Sequence, residues 1–404
     1  MKKLSLLLIL VIVVLAIIVT ACGNGGINEE HSFPPPLTRD QFLEDFDYLI
    51  NTLEANFPYL GIIYRRNGVD MLELAEEIRV QISDENFNIN YVTFWNLLSD
   101  NFFYHAWPIG HLWLVGHLEF SSHLDSFWFP FDIEVTRYFG NRLQSLPQNL
   151  TNYPLSTRII EEGRIAYIRV PTFERLAAEG RRIDNFYSQL EGFEHLIIDL
   201  RGNSGGWPSQ FDMYIAMPLI DHDLRTQFHH FFMDGQYSYN FFDRWLRVRG
   251  RQEIFDFNIE SIANILPDTH LSPEVLEDLA LMDFYFVEDI RVWSTGRARA
   301  PFYGKIWVLV DDRIKSGAVQ VAAFYSDVGF ATFVGEAGGG MPSSRLSSAY
   351  FSLPNTTFIV RFDANYFLDN TGHPLEYGFI PHYSNREGMD ALETVLAMIK
   401  DSGY

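Results

Sequence analysis

Apolar residues between positions 38 and 104 recur at the three-and-four spacing of amphipathic helices. Phe42, Phe46, Leu49, Leu53 and Phe57 make one stripe, and Pro58 ends it. Thr38-Arg39-Asp40-Gln41, just before, has the form of a capping box. Asp70 with Glu73 opens a second helix carrying Leu74, Ile78 and Ile82, and a third is expected over 92–98. From Ile165 the pattern changes to short apolar runs alternating with helical segments. Ile165–Val170, Leu196–Ile198 ending at Asp199, Ile306–Val310 and Ala331–Val334 read as strands, and Ala318–Phe324 reads as a helix. Strands alternating with helices predict an α/β core with parallel pairing. Residues 221–300 are polar and aromatic-rich, and read as a helical insertion.

Composition narrows the possibilities. With 404 residues, 47% of them hydrophobic and 16% aromatic, the chain can bury a large core. Its formal charge of -22 disfavours DNA, RNA and anionic lipid as partners. Lys2 and Lys3 precede an unbroken apolar run from Leu6 to Val19, the form of a secretory signal and too short for a comfortable membrane span. Losing those lysines on cleavage would take -22 to -24. Cys22, the single cysteine, excludes an intramolecular disulfide and is placed for lipid attachment. Val19-Thr20-Ala21-Cys22 resembles the lipobox of bacterial lipoproteins. It implies a signal peptide over 1–21, an anchor on Cys22 and an extracytoplasmic position at the cell membrane. Residues 22–37, rich in Gly, Asn and Pro, would be the tether.

Two serines compete for chemistry. Gly202-Asn203-Ser204-Gly205-Gly206 is a formal match to the G-x-S-x-G nucleophile elbow. No HGGG-type oxyanion loop accompanies it, and Asp363, Asp369, His373 and His382 stand downstream without a telling context. Ser316 follows a buried strand and opens a helix, where free backbone N–H groups and the helix dipole favour an oxyanion. A serine there can equally be a plain N-cap. His105, His111, His117 and His123 are evenly spaced, but Pro108, Gly110 and Gly116 interrupt any common strand, and no HExxH accompanies them. Gly338-Gly339-Gly340 lacks the G-K-[ST] ending of a phosphate loop. No metal or cofactor is expected. His229-His230 reads as surface.

Four separated segments, "IGHLWL" (109–114), "IIDLRGNSGG" (197–206), "KSGAVQVAAFYSDVGFATFVGE" (315–336) and "LEYGFIPH" (375–382), together resemble the tail-specific (C-terminal processing) family of serine peptidases. They are more similar to its tricorn-like branch. The resemblance implies a crotonase-like α/β core over 105–404, preceded by a small helical domain over 38–104. It implies Ser316 as nucleophile, with Gly205 or Gly206 and Gly317 donating to the oxyanion, which leaves Ser204 at a variable position of the turn. The lysine branch of the family does not fit, because Lys305, Lys315 and Lys400 are the only lysines after the signal. The histidine branch implies His111 as general base and Glu376 as the supporting acid. Gly110 departs from the serine that often precedes this histidine. No PDZ module is recognisable between His111 and Arg164. The expected activity is a membrane-anchored serine endopeptidase acting on peptide or protein. The alternatives are a peptide-binding lipoprotein without turnover and an esterase working through Ser204.

Overall fold

The computed structural model describes residues 34–116, 154–238, 254–267, 271–294, 300–340 and 348–402. The apolar N-terminal run, Cys22, most of the tether, His117 and His123 lie outside them. So does most of the stretch between His111 and Arg164. Among the described residues, no helix is long and apolar enough to cross a membrane.

Helices α1 (Arg39–Asn56), α3 (Met71–Ser83) and α4 (Tyr91–Asn96) follow the expected stripes, and a further helix, α2 (Leu60–Asn67), lies between the first two. Asp70 accepts from the amides of Leu72 and Glu73 and so caps α3. Asn90 and Thr93 form a reciprocal capping box on α4, which runs on into a wider turn at Leu97–Phe103. The stripe Phe42, Phe46, Leu49 and Leu53 is fully buried. Much of what covers it comes from far along the chain. Phe358 packs on Phe94 and Trp95, and the buried carboxylate of Asp45 accepts from the amides of Asn355 and Thr356, both at 2.7 Å.

The remaining elements are β1 (Trp113–Leu114), β2 (Ser156–Glu161), β3 (Ile165–Arg169), α5 (Leu176–Tyr187), β4 (His195–Asp199), β5 (Leu224–Phe232), β6 (Phe255–Asp256), β7 (Phe284–Val292), β8 (Lys305–Val310), α6 (Gly317–Asp327), β9 (Thr332–Gly335), β10 (Ala349–Ser352), β11 (Ile359–Phe362), β12 (Asn365–Leu368), β13 (Tyr383–Ser384) and α7 (Ala391–Asp401). The central sheet has the order β13-β9-β8-β4-β3-β2. All its pairings are parallel except β2 on β3. Its strands are near-continuous apolar runs because both faces are covered. Ile168, Leu196, Ile198, Val308 and Val310 face the core beneath α5 and α6. Tyr167, Ile197, Trp307, Leu309 and Val334 face Ala391, Val395 and Ile399 of α7. The fold is mixed α/β.

Among its described residues, the segment expected to be a helical insertion has short helices at Ile262–Ile265 and Pro273–Leu279, but its longest elements are strands. Strands β5 and β7 pair antiparallel along nine residues each and join β12 and β6 in a second sheet. Leu224, Thr226 and Phe228 point inward while Arg225 and Gln227 point out, the period of a strand. The abundance of aromatics there reflects strand propensity. His229 and His230 are buried rather than superficial, since the second half of β5 is covered on both faces. The His230 ring lies between Phe286 and Phe367, with centroids 4.6 and 4.7 Å away.

Candidate active site

The carboxyl ends of β4 and β8 lie side by side, the position where ligands bind in open α/β sheets. After β8 the chain turns sharply and α6 begins at Gly317, with Ser316 on the turn. An N-capping serine has an extended backbone, and its hydroxyl accepts from the first-turn amides. Ser316 does neither: its φ is 52° and ψ is -125°, and its side chain makes no capping bond. A non-glycine residue held there costs about 1–3 kcal/mol and persists only where its surroundings enforce it. Here the Lys315 amide donates to the Asn203 carbonyl and the Ser316 amide to the Gly340 carbonyl, both at 3.0 Å. The strained strand-to-helix turn that an elbow serine requires is therefore found at Ser316. Among the described residues its hydroxyl has no hydrogen-bond partner, and it stands at the positive end of α6.

The turn after β4 is pressed against this one, backbone to backbone. Gly205 and Gly206 have φ of 91° and 105°. A Cβ on Gly205 would lie 2.8 Å from Ser316 Cβ and 3.0 Å from the Gly317 nitrogen, and one on Gly317 would strike the Gly206 carbonyl. Gly205 needs glycine for close approach as well as for its φ, and Gly317 needs it for close approach. Asn203, fully buried, holds the turn. Its Nδ2 donates to the Val170 carbonyl, and its Oδ1 accepts from the Gly205 amide, both at 2.7 Å. Gly205 has thus committed its N–H. Among the described residues the amides of Gly206 and Gly317 have no acceptor, so these two are the available oxyanion donors. Asp311, at the end of β8, accepts from the Gly202 amide at 2.8 Å and ties the two turns together. Asp199 pairs with Arg201 at 2.7 Å and accepts from Tyr167 at 2.6 Å.

Ser204 sits exposed on this turn, its amide donating to the Pro171 carbonyl at 3.3 Å. The downstream residues that could have served it are engaged elsewhere. Asp369 accepts from Thr371 and His373, His373 Nε2 donates to the Gly378 carbonyl at 2.8 Å, and His382 Nδ1 accepts from the Phe333 amide at 3.0 Å.

His111 lies on an irregular segment, with φ 44° and 4% exposure. Its ring lies 5.2 Å from that of Trp113, whose neighbour Trp107 carries the Lys315 ammonium 5.1 Å above its ring. Pro108 packs beside Gly340, the residue that accepts from Ser316. The histidine segment thus touches Lys315, the residue before the serine, and Gly340, which accepts from its amide, with the Lys315 ammonium turned toward an aromatic face. His111 Nδ1 meets Asp363 Oδ2 at 2.7 Å, both side chains being buried. Burial alone would raise the Asp363 carboxyl, but His111, Arg361 and a hydrogen bond from Ser348 hold it below the usual carboxylate range.

Glu376 is also buried, on the short turn Leu375–Tyr377, and its backbone carbonyl accepts from Arg66. Among the described residues, the carboxylate bonded to His111 is that of Asp363. Glu376 and Asp363 both act on Tyr59: burial first, then these two charges, push its phenol well above the usual range. Gly110 has no room for a side chain. A Cβ there would lie 2.7 Å from Phe57 Cζ and 2.9 Å from Tyr59 Cδ2, at a φ of 62°.

Sequence reasoning placed Ser316, the glycine turn and His111 in segments that the fold brings together. It passed over Asn203, Ser348, Arg361 and the pairing of Asp363. Asp363 lies 252 residues from its partner, in no short motif, so only the fold reveals it.

The model of peptidase family S41 matches residues 164–384, more than half of the chain. A candidate peptidase from Parabacteroides merdae is similar in structure, with TM-score 0.54 and 15% identity over 89% of this chain and 96% of its own. Mature CPAF complexed with lactacystin gives TM-score 0.52 and 13% identity over 86% and 94%. At these identities the likeness is one of fold. No curated protein matches.

Proposed function

The chain belongs to peptidase family S41 and is a serine-type peptidase acting on peptide or protein, and from that premise we propose that Ser316 is its nucleophile and His111 its general base. Ser316 Oγ attacks the scissile carbonyl carbon as His111 Nε2 takes its proton. The oxyanion is received by the Gly206 and Gly317 amides, fixed before the reaction begins. Collapse breaks the C–N bond, and the imidazolium returns its proton to the leaving amine. Water then attacks the acyl ester by the same route and regenerates Ser316. The observation that carries this reading is the Ser316 backbone, strained and uncapped at a helix start against two free amides.

The finer assignments belong to the same proposal. The engagement of Lys315 with Trp107 supports a histidine base and the tricorn-like branch. The parallel order β4-β8-β9, with a glycine turn after β4 and a helix after β8, supports a crotonase-like core, behind a helical domain over 38–104. Lys2-Lys3, the apolar run and Cys22 support a lipid-anchored enzyme facing outward, and Cys22→Ser should release it from the membrane fraction. No PDZ module is assigned, so amidated and free C-termini should be cleaved alike.

The test is hydrolysis of a peptide library by wild type and Ser316→Ala. Cleavage by the wild type alone supports the reading. Undiminished cleavage by the variant overturns it, and an inert wild type that still binds peptide would favour a binding protein.

A further inference from the structure

We propose that Asp363 is the positioning residue that sets His111 in the tautomer a base requires, and that Arg361 and Ser348 dictate how Asp363 does so. The catalytic part rests on the Ser316–His111 reading; the tautomer does not. Arg361 can only donate, so its Nε–H, 2.9 Å from Ser348 Oγ, makes that oxygen an acceptor. The one hydroxyl hydrogen of Ser348 is left to point at Asp363 Oδ1, 2.6 Å away. Oδ2 then faces His111 Nδ1 at 2.7 Å. An ionised carboxylate accepts only, so Nδ1 must carry the hydrogen and Nε2 keeps its lone pair.

The backbone holds this line in place. The Asp363 amide donates to the Gly110 carbonyl at 2.7 Å, fixing the residue beside His111. Arg361 lies on β11, paired with β1, and its guanidinium covers the Trp113 ring at 4.7 Å. Trp113 in turn packs on the imidazole. Among the described residues, the hydrogen bond made by the His111 ring is the one to Asp363, while the nearby Tyr59 hydroxyl donates to the Asn365 carbonyl. Orientation therefore falls to Asp363, the carboxylate bonded to the ring.

Asp363→Asn makes a sharp test because it keeps the shape and reverses one donor. Ser348 still donates to the new Oδ1, so Nδ2 faces His111 and forces Nδ1 to accept. The hydrogen moves to Nε2, and the base is disabled. The measurement is the nitrogen-15 shifts of His111 in the intact protein, with kcat and KM on a cleaved peptide. Wild type should show the hydrogen on Nδ1 and Asp363→Asn on Nε2. The same variant should lose about 10⁴ in kcat with KM nearly unchanged, the size of effect a wrong tautomer produces. Glu376→Gln should leave the tautomer alone. Should the asparagine variant fold poorly by its thermal transition, Asp363→Ala removes the acceptor and should likewise lose the Nδ1–H preference. A variant at 363 that retains the Nδ1–H tautomer overturns the proposal, as does a tautomer switch in Glu376→Gln. If the tautomer switches but wild type cleaves no peptide, the proposal stands and the catalytic reading falls.

Discussion

Ser316 and the Gly205–Gly206 turn stand at the carboxyl ends of two adjacent parallel strands, β8 and β4, and their geometry is fixed by a few local hydrogen bonds. His111 and Asp363 come from irregular segments 252 residues apart, held by aromatic packing and a chain of side-chain bonds. The first half is backbone chemistry: glycines, free amides and one strained φ. The second depends on which side chains happen to meet. Substitutions should therefore act differently on the two halves, by blocking backbone approach in one and by misdirecting a proton in the other.

Ser316→Ala should have the largest effect, a loss on the order of 10⁶ in kcat, because no neighbour can form the covalent bond in its place. Burst and steady-state kinetics on a cleaved peptide check this. Gly206→Val comes next. Its Cβ would press on Glu174 and Phe173, at 3.0 and 3.3 Å, and displace an oxyanion donor. A loss of about 10² to 10³ in kcat is expected, with the protein still folded. A wild-type rate for this variant would break the claim that the first half works through its backbone.

On the histidine side, Gly110→Ser tests packing. Its Cβ would run into Phe57 and Tyr59, so overpacking of about 1–3 kcal/mol is expected in chemical denaturation. In a Phe57→Leu background that penalty should shrink, since the two positions touch. Additive penalties would place the strain elsewhere.

Acid stability probes the sheet that begins just after Asp363. Burial lowers His229 from 6.5 to about 4, and the charge of His230 pushes the same way. Between these values the unfolded chain takes up a proton that the folded chain refuses. Stability should therefore fall as pH drops from about 6.5 towards about 4, by up to about 3 kcal/mol from this residue. His229→Phe should flatten that slope in urea denaturation at the two pH values; an unchanged slope would contradict it. Smallest of all should be Ser204→Ala, at most a few tenfold in kcat/KM, since every backbone donor on its turn survives.

The same division explains what could be read in advance. Runs such as Leu196–Ile198 and Ile306–Val310 are apolar on both faces because the sheet is covered on both sides, so their pattern is unambiguous. The glycine turn is equally legible, because backbone approach demands glycine in the sequence itself. Residues 221–300 misled because their abundant aromatics and charges masked the alternation of β5 and β7. Asp363 was visible as a downstream acid only. Its importance lies in facing residue 111, which β11 and the hydrogen bond from its amide to the Gly110 carbonyl arrange. Gly110 looked like a missing hydroxyl, yet the structure shows its space filled by Phe57.

Fluorophosphonate labelling followed by peptide mapping tests the central claim most directly, because the reagent marks only an activated serine. A single adduct on Ser316 of the folded protein, lost on unfolding and in His111→Ala, is the predicted result. An adduct on Ser204, or none on Ser316 in protein that cleaves peptides, would contradict it.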